Sequence, residues 1–394
     1  LFLINILATI SCYVYIKNIN NSINFGLFAF FYWGIIQYHM AFDGYHSFYA
    51  YYPILSILIF SCLHFHLRYL KSDQHRFYWA SVLLFFLLLL SGEIGLILPF
   101  ILCIQTYAFS TLQRESILKL IPYYALAGLY LALTYFLRQQ TDMQTTYTGI
   151  QSNFELTAMI RTWLIQLSAS FPLTSLYQRK AILETLLQSA SEHWILMTLV
   201  CMAYCITIFT FIRNPQKTQP LSNKSIFLFL TIMCLSAAII TPSLKYQSQL
   251  HFGLAYLPVM IQYQAFAAIL CLVYLSISTS MKRIFLGIFL FIGLITYASN
   301  LSEIKKASRI NEPFISLKSA LKQGLNKQIE EHAIVYYDYF IDLKWFIEPI
   351  FNSQRASPIE MREMILLEKD SLVEHRPYYY LKISTGDTQM VELY

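Results

Sequence analysis

Between Phe77 and Leu90, and again between Ile94 and Phe109, the chain carries no charged side chain, and a single acid, Glu93, stands between the two runs. Runs this long and this apolar ask for a bilayer rather than a small aqueous core. A carboxylate inside such a stretch costs roughly 2.5–3.5 kcal/mol to insert, so it is usually kept for a reason. Gly92, Gly95 and Pro99 beside it can break a helix and let backbone approach backbone. The pattern predicts a polytopic membrane protein with an acid at a kink or vertex.

The rest of the chain agrees with that class. It is 57% hydrophobic and 13% charged, with a mean hydropathy of +0.49, outside the range of an ordinary soluble domain. Apolar stretches predict spans at 1–16, 23–42, 53–70, 77–90, 94–109, 120–137, 194–212, 226–240, 259–278 and 284–299. The fourth and fifth read as short helices meeting at Ser91-Gly92-Glu93. Residues 154–176 contain Glu155, Arg161 and Pro172 and read as a re-entrant or interfacial helix.

Charge divides the chain in two. Residues 1–299 hold 16 basic and 8 acidic side chains, whereas residues 300–394 hold 12 basic and 14 acidic ones. The expected fold is an all-α polytopic membrane domain over 1–299, with about ten transmembrane helices, followed by a small α/β soluble domain over 300–394. In that tail, Phe314, Leu317, Leu321 and Leu325 have helical spacing, while 333–340 and 378–384 are β-like. The net charge of +6 comes from Lys and Arg in loops between spans and does not argue for nucleic acid. Basic loops at 68–76, 114–119, 213–224 and 282–283 predict a cytoplasmic side. The tail and the loops at 43–52, 138–193 and 241–258 then lie outside, as in a bacterial inner-membrane protein. The seven cysteines read as small buried hydrophobes without metal or disulfide spacing. The sequence opens at Leu1 inside an apolar run, which predicts an upstream portion rather than a signal peptide.

Four outward-facing constellations could carry chemistry. His39, Asp43, Tyr45 and His46 offer an acid, two imidazoles and a phenol; Asp43 could deprotonate an acceptor hydroxyl or help hold a divalent metal. The alternative is an aromatic belt with a capping Asp. Glu93 either lines a polar cavity or caps a short helix. Lys245, Gln247, Gln249 and His251, with Tyr256 at the membrane edge, suit a phosphate-sugar head group, or form a solvated loop. Arg179 and Lys180 suit an anionic lipid phosphate, or form a solvated face. There is no glycine-rich phosphate loop, no His-Glu-x-x-His and no Gly-x-Ser-x-Gly.

The segment Ser91-Gly92-Glu93-Ile94-Gly95-Leu96-Ile97-Leu98-Pro99 resembles the S/T-x-E-x(5)-P segment of polytopic GT-C glycosyltransferases, which include protein O-mannosyltransferases and lipid A aminoarabinose transferases. Gly253-Leu254-Ala255-Tyr256-Leu257-Pro258 is similar to their late R-Y-x-Y-x-P region, with Leu254 where the basic residue stands. The resemblance implies transfer of a sugar from a polyprenyl-phosphate donor, usually with inversion and an acid as general base. It implies that the principal acid pair lies in a loop upstream of Leu1, that Asp43 is a second-loop acid, and that Lys245 or His251 replaces the missing basic residue. A transporter or flippase for a lipid-linked or anionic solute is the competing class; it predicts acids and broken helices in paired positions, which only Glu93 begins to meet. An envelope scaffold, using the tail to bind a partner, is a third.

Overall fold

The computed structural model describes residues 2–37, 51–110, 117–140, 153–178, 187–188, 191–213, 218–256, 258–322, 334–338, 360–364, 378–384 and 387–392. They fall into two compact units, Leu1–Glu303 and Ile304–Tyr394.

The first unit is helical. It contains α1 (Phe2–Ile19), α2 (Phe25–Ile35), α3 (Tyr51–Ser72), α4 (His75–Ser91), α5 (Leu98–Phe109), α6 (Ile121–Gln140), α7 (Leu156–Ser168), α8 (Trp194–Arg213), α9 (Asn223–Ala238), α10 (Leu244–Gln249) and α11 (Val259–Ser276). A last helix, α12 (Thr279–Lys322), begins in this unit. Four helices are long and apolar enough to cross a membrane: α3, α8, α11 and the Thr279–Lys305 part of α12. Six shorter apolar segments, at Leu3–Ile19, Phe25–Ile35, His75–Ser91, Glu93–Phe109, Ile121–Leu137 and Asn223–Ala238, overlap the remaining expected spans without reaching the length of the four. Helix α7 has 13 residues, about 20 Å at 1.5 Å per residue, too short for a bilayer core of about 30 Å.

Local sequence sets the boundaries. Asn24 caps α2 by accepting from Leu27 N at 2.8 Å, and Ser222 caps α9 through Ser225 N. Pro99 sits in the first turn of α5, where its missing N–H costs nothing. Helix α12 continues past the expected break at 299/300 and past Glu303, where the first unit ends, to Lys322. No Gly or Pro occurs between Leu294 and Glu312, so nothing local stops the helix at 300, and Pro313 lies within its later course. Asn300 instead donates its side-chain amide to Ile36 O at 2.8 Å, fastening this helix to the end of α2.

The core is aromatic and glutamine-pinned. Phe31 meets Tyr274, Phe285 and Phe289 edge-on with centroids 5.1–6.1 Å apart, joining α2, α11 and α12. Between α1, α3 and α5, Tyr15 donates to Gln105 Oε1 at 2.6 Å. Gln105 Nε2 in turn donates to Leu63 O at 3.1 Å and lies 3.0 Å from His66 Nδ1. All three side chains are buried. In a bilayer interior, polar groups must satisfy one another in this way.

The two ends of the bundle differ in charge. Lys17, Arg68, Lys71, Arg76, Lys119, Arg213, Lys224, Lys282 and Arg283 all lie at the end where α1, α3, α5, α8 and α11 finish; Asp73 is the single acid there among the described residues. That end is tied by Lys71 donating to Asn18 O, Asn20 to Gln219 Oε1, and the Gln219 amide to Leu275 O. Lys119 meets Asp73 at 3.5 Å. Its pKa is raised, first by a hydrogen bond with Tyr69 and then by the Asp73 charge.

In the second unit, β1 (Ile334–Asp338), β2 (Glu360–Met364), β3 (Tyr378–Ser384) and β4 (Asp387–Glu392) form one sheet in the order β2-β1-β3-β4. Strand β1 is parallel to β2 and to β3, and β3–β4 is an antiparallel hairpin with Ser384 opposite Asp387. Two of these strands fall in the segments whose composition is β-like.

Candidate functional site

Glu93 sits at a true vertex. Helix α4 ends at Ser91, Gly92 is extended, and Glu93 starts a 3₁₀ turn, Glu93–Ile97, that leads directly into α5. The Tyr51 hydroxyl donates to Ser91 O and occupies the place a Cβ at 92 would take, so a side chain there would push that phenol aside. The carboxylate itself is exposed. It lines the same space as Tyr51 and Tyr52 at the start of α3.

Around it lies a cavity of about 360 Å³. Tyr51, Tyr52 and Leu55 form the α3 wall, Gly92, Glu93 and Ile94 the vertex, and Tyr130 the α6 wall. Ile239, Ile240, Ser243, Tyr246, Tyr256 and Pro258 close it from the segment joining α9 to α11. Five tyrosines and one carboxylate thus face a common space, and none of these lining residues is a cation. The volume falls within the range of small-molecule sites.

Two devices hold the far wall. Gly253 has φ 88°, a left-handed conformation open to glycine, and turns the chain out of α10. Gln166, fully buried on α7, then grips Tyr256 by both backbone groups: its Oε1 accepts from Tyr256 N at 2.8 Å and its Nε2 donates to Tyr256 O at 3.0 Å. With its amide turned to satisfy both ends, Gln262 donates to Gln166 O at 3.0 Å and accepts from Ala237 N at 3.1 Å. The short helix α7 therefore acts as a brace, further fixed by Trp163 Nε1 donating to Cys234 O at 2.9 Å. The Tyr246 and Tyr256 rings pack with centroids 4.1 Å apart and planes tilted by 37°.

Of the residues singled out from sequence, the structure brings Glu93 and Tyr256 into one cavity. Lys245 lies beside it, with Nζ 6.0 Å from the Tyr246 ring centroid, while Gln249 and His251 are exposed and line none of its walls. Gln247 is occupied structurally, donating to Asn153 O and Thr241 O, both at 2.8 Å. Asp43, His46, Arg179 and Lys180 lie outside the described residues. Among the described residues, no cluster of His, Cys, Asp and Glu could hold a metal ion.

Sequence reasoning missed Tyr51, Tyr52, Tyr130 and the brace residue Gln166. The tyrosines were hidden among many others, thirty in the whole chain. Gln166 had a faint signal, since an amide in an apolar stretch must find partners. No family model, no curated protein and no solved structure matches the chain.

Proposed function

We propose that the chain is an integral-membrane glycosyltransferase, moving a sugar from a polyprenyl-phosphate donor to an envelope acceptor at the outer face of a bacterial inner membrane. The observation that carries this reading is the convergence of the Glu93 vertex and the Tyr256 segment, distant in sequence, on one cavity. In this reading Glu93 takes the proton of an acceptor hydroxyl. The acceptor oxygen bonds to the anomeric carbon as the carbon–oxygen bond to the lipid phosphate breaks, and the phosphate departs as an anion. In this reading Lys245, beside the cavity, receives that anion with Gln249 and His251 of the same segment. Asp43 is a second acid of the site, His46 accompanies it, and Arg179 with Lys180 hold the lipid phosphate at the membrane surface. The basic end of the bundle faces the cytoplasm, and the tail is a small α/β domain outside.

Depth separates this reading from a transporter. Helix α4 has 17 residues, so the vertex stands about 26 Å from the basic end, near the far edge of a hydrocarbon core of about 30 Å. A transported solute would bind near the midplane, between paired broken helices.

The test is transfer of radiolabelled sugar from polyprenyl phosphate in membranes carrying the full chain. Glu93→Gln abolishes incorporation while the protein accumulates normally. Full incorporation by that variant removes Glu93 from the mechanism.

A further inference from the structure

At the basic end of the bundle several cations are already engaged. Lys71 donates to Asn18 O, Lys119 meets Asp73 at 3.5 Å, and Lys282 is buried beside the Tyr274 ring. Arg68 and Arg76 differ. They flank the short α3–α4 connection, and their guanidinium carbons lie 4.5 and 4.9 Å from the centroid of one ring, Phe77. Phe77 is buried, and Phe65 stacks on it with centroids 6.1 Å apart, so packing fixes the ring. One aromatic side chain thus gathers two like charges that repel each other.

Neither charge meets a carboxylate among the described residues. Arg76 Nε donates to Gln74 Oε1 at 2.8 Å, which leaves its two terminal nitrogens without a partner there. The Arg68 guanidinium makes no hydrogen bond or ion pair among the described residues, and both side chains are exposed. Asp73, the acid of the connection, is paired with Lys119. Two open guanidinium forks held at one ring suit a phosphate, whose oxygens accept paired N–H donors.

The adjoining surface says how that phosphate is carried. Beyond Arg76, α4 exposes Trp79, Leu83, Phe86, Leu87 and Leu90. Their spacing from Arg76 places all five on its face of the helix. The stripe extends about 20 Å from Arg76, which exceeds half of a hydrocarbon core of about 30 Å. Helix α3 is long and apolar enough to cross a membrane, and Arg68 stands one turn before its end. A long cationic side chain at that level reaches the head-group layer, and an exposed Trp beside it suits the same interface.

We propose that the α3–α4 hairpin holds one anionic phospholipid, its phosphate between Arg68 and Arg76 and its acyl chains along the α4 stripe. The site rests on α3 being a membrane span and is independent of the proposed sugar transfer.

The experiment uses the full chain, delipidated in a neutral detergent, with bound lipid counted by native mass spectrometry. Three ligands are titrated. Dioleoyl phosphatidylglycerol has both features, dioleoyl phosphatidylcholine has the same tails with its phosphate offset by choline, and glycerol 1-phosphate has the phosphate without tails. The expected result is a first phosphatidylglycerol bound more tightly than either of the other two. Arg68→Gln and Arg76→Gln each weaken it about 5-fold, and the pair about 30-fold. Lys17→Gln with Arg283→Gln removes the same charge from exposed positions at the same end and leaves that first lipid in place. Trp79→Ala with Leu83→Ala weakens phosphatidylglycerol and phosphatidylcholine alike. Equal losses in the two charge-removing pairs overturn the site, leaving only the general positive field of that end. Phosphatidylcholine bound as tightly as phosphatidylglycerol overturns the recognition of an anion. Glycerol phosphate bound as tightly overturns the lipid and makes a free phosphate ester the ligand.

Discussion

In the interior of the helical unit, Tyr15, Gln105 and His66 close on one another and on Leu63 O, whereas at the bundle end Glu93 and five tyrosines line open space. Both groups belong to apolar helices or their junctions, and both contain phenols. The interior set is buried and spends its polar atoms on other protein atoms. The cavity set is held in place by backbone and second-layer contacts, through Tyr51 on Ser91 O and Gln166 on Tyr256. Polarity in a membrane protein must be satisfied, inside the bundle by buried partners and at the cavity by groups that also meet open space.

The largest test of that contrast is at Glu93. On the proposed reading of Glu93 as general base, Glu93→Gln should lower sugar transfer about 100-fold or more. It should leave the unfolding midpoint in detergent almost unmoved, since the carboxylate is exposed. A large drop in stability would move Glu93 into the structural class. Gln105→Leu should do the reverse: its interior contacts, at about 0.6 kcal/mol each, amount to about 2 kcal/mol of stability. Denaturant titration checks this, with transfer per folded molecule expected to hold.

Gln166→Ala joins the two regions, because an interior amide holds a cavity wall. We expect a cost of about 1–2 kcal/mol together with weaker substrate binding, read as a raised KM at nearly unchanged kcat. Gly92→Ala should cost about 1 kcal/mol as Tyr51 loses Ser91 O. Tyr51→Phe in the same background should then add little, which a double-mutant cycle would show.

The smallest effect is expected at the basic end. Lys119 and Asp73 are 38% and 81% exposed, so Asp73→Asn should cost at most about 0.5 kcal/mol, and less in high salt. Because the Lys119 pKa is raised on folding, its contribution is present below the unfolded lysine value. It fades as pH rises through the folded one, in the alkaline range. Stability profiles of wild type and Lys119→Met should therefore converge only above about pH 10.5.

Several features were legible in the residues alone. Unbroken apolar runs are a sufficient cause of membrane helices, because a bilayer leaves the backbone few other ways to satisfy itself. The break at Ser91-Gly92-Glu93 was legible for a related reason: glycine and a charge interrupt such a run locally. The continuous α12 was not, since the change from apolar to charged composition near Asn300 alters what surrounds a helix without ending it.

The amino-acid order by itself determined which segments are apolar helices, where a charged vertex interrupts them, and where the positive charges gather. Those are local properties, written in runs and breaks. Only the tertiary structure decided that Tyr51, Tyr130 and Tyr256 share a space with Glu93, that α7 is a brace, and that Lys245 stands beside the cavity rather than in it. These depend on which faces of distant helices meet. That choice is made by side-chain packing and by where each buried amide finds a partner, a collective result that no single stretch of sequence contains.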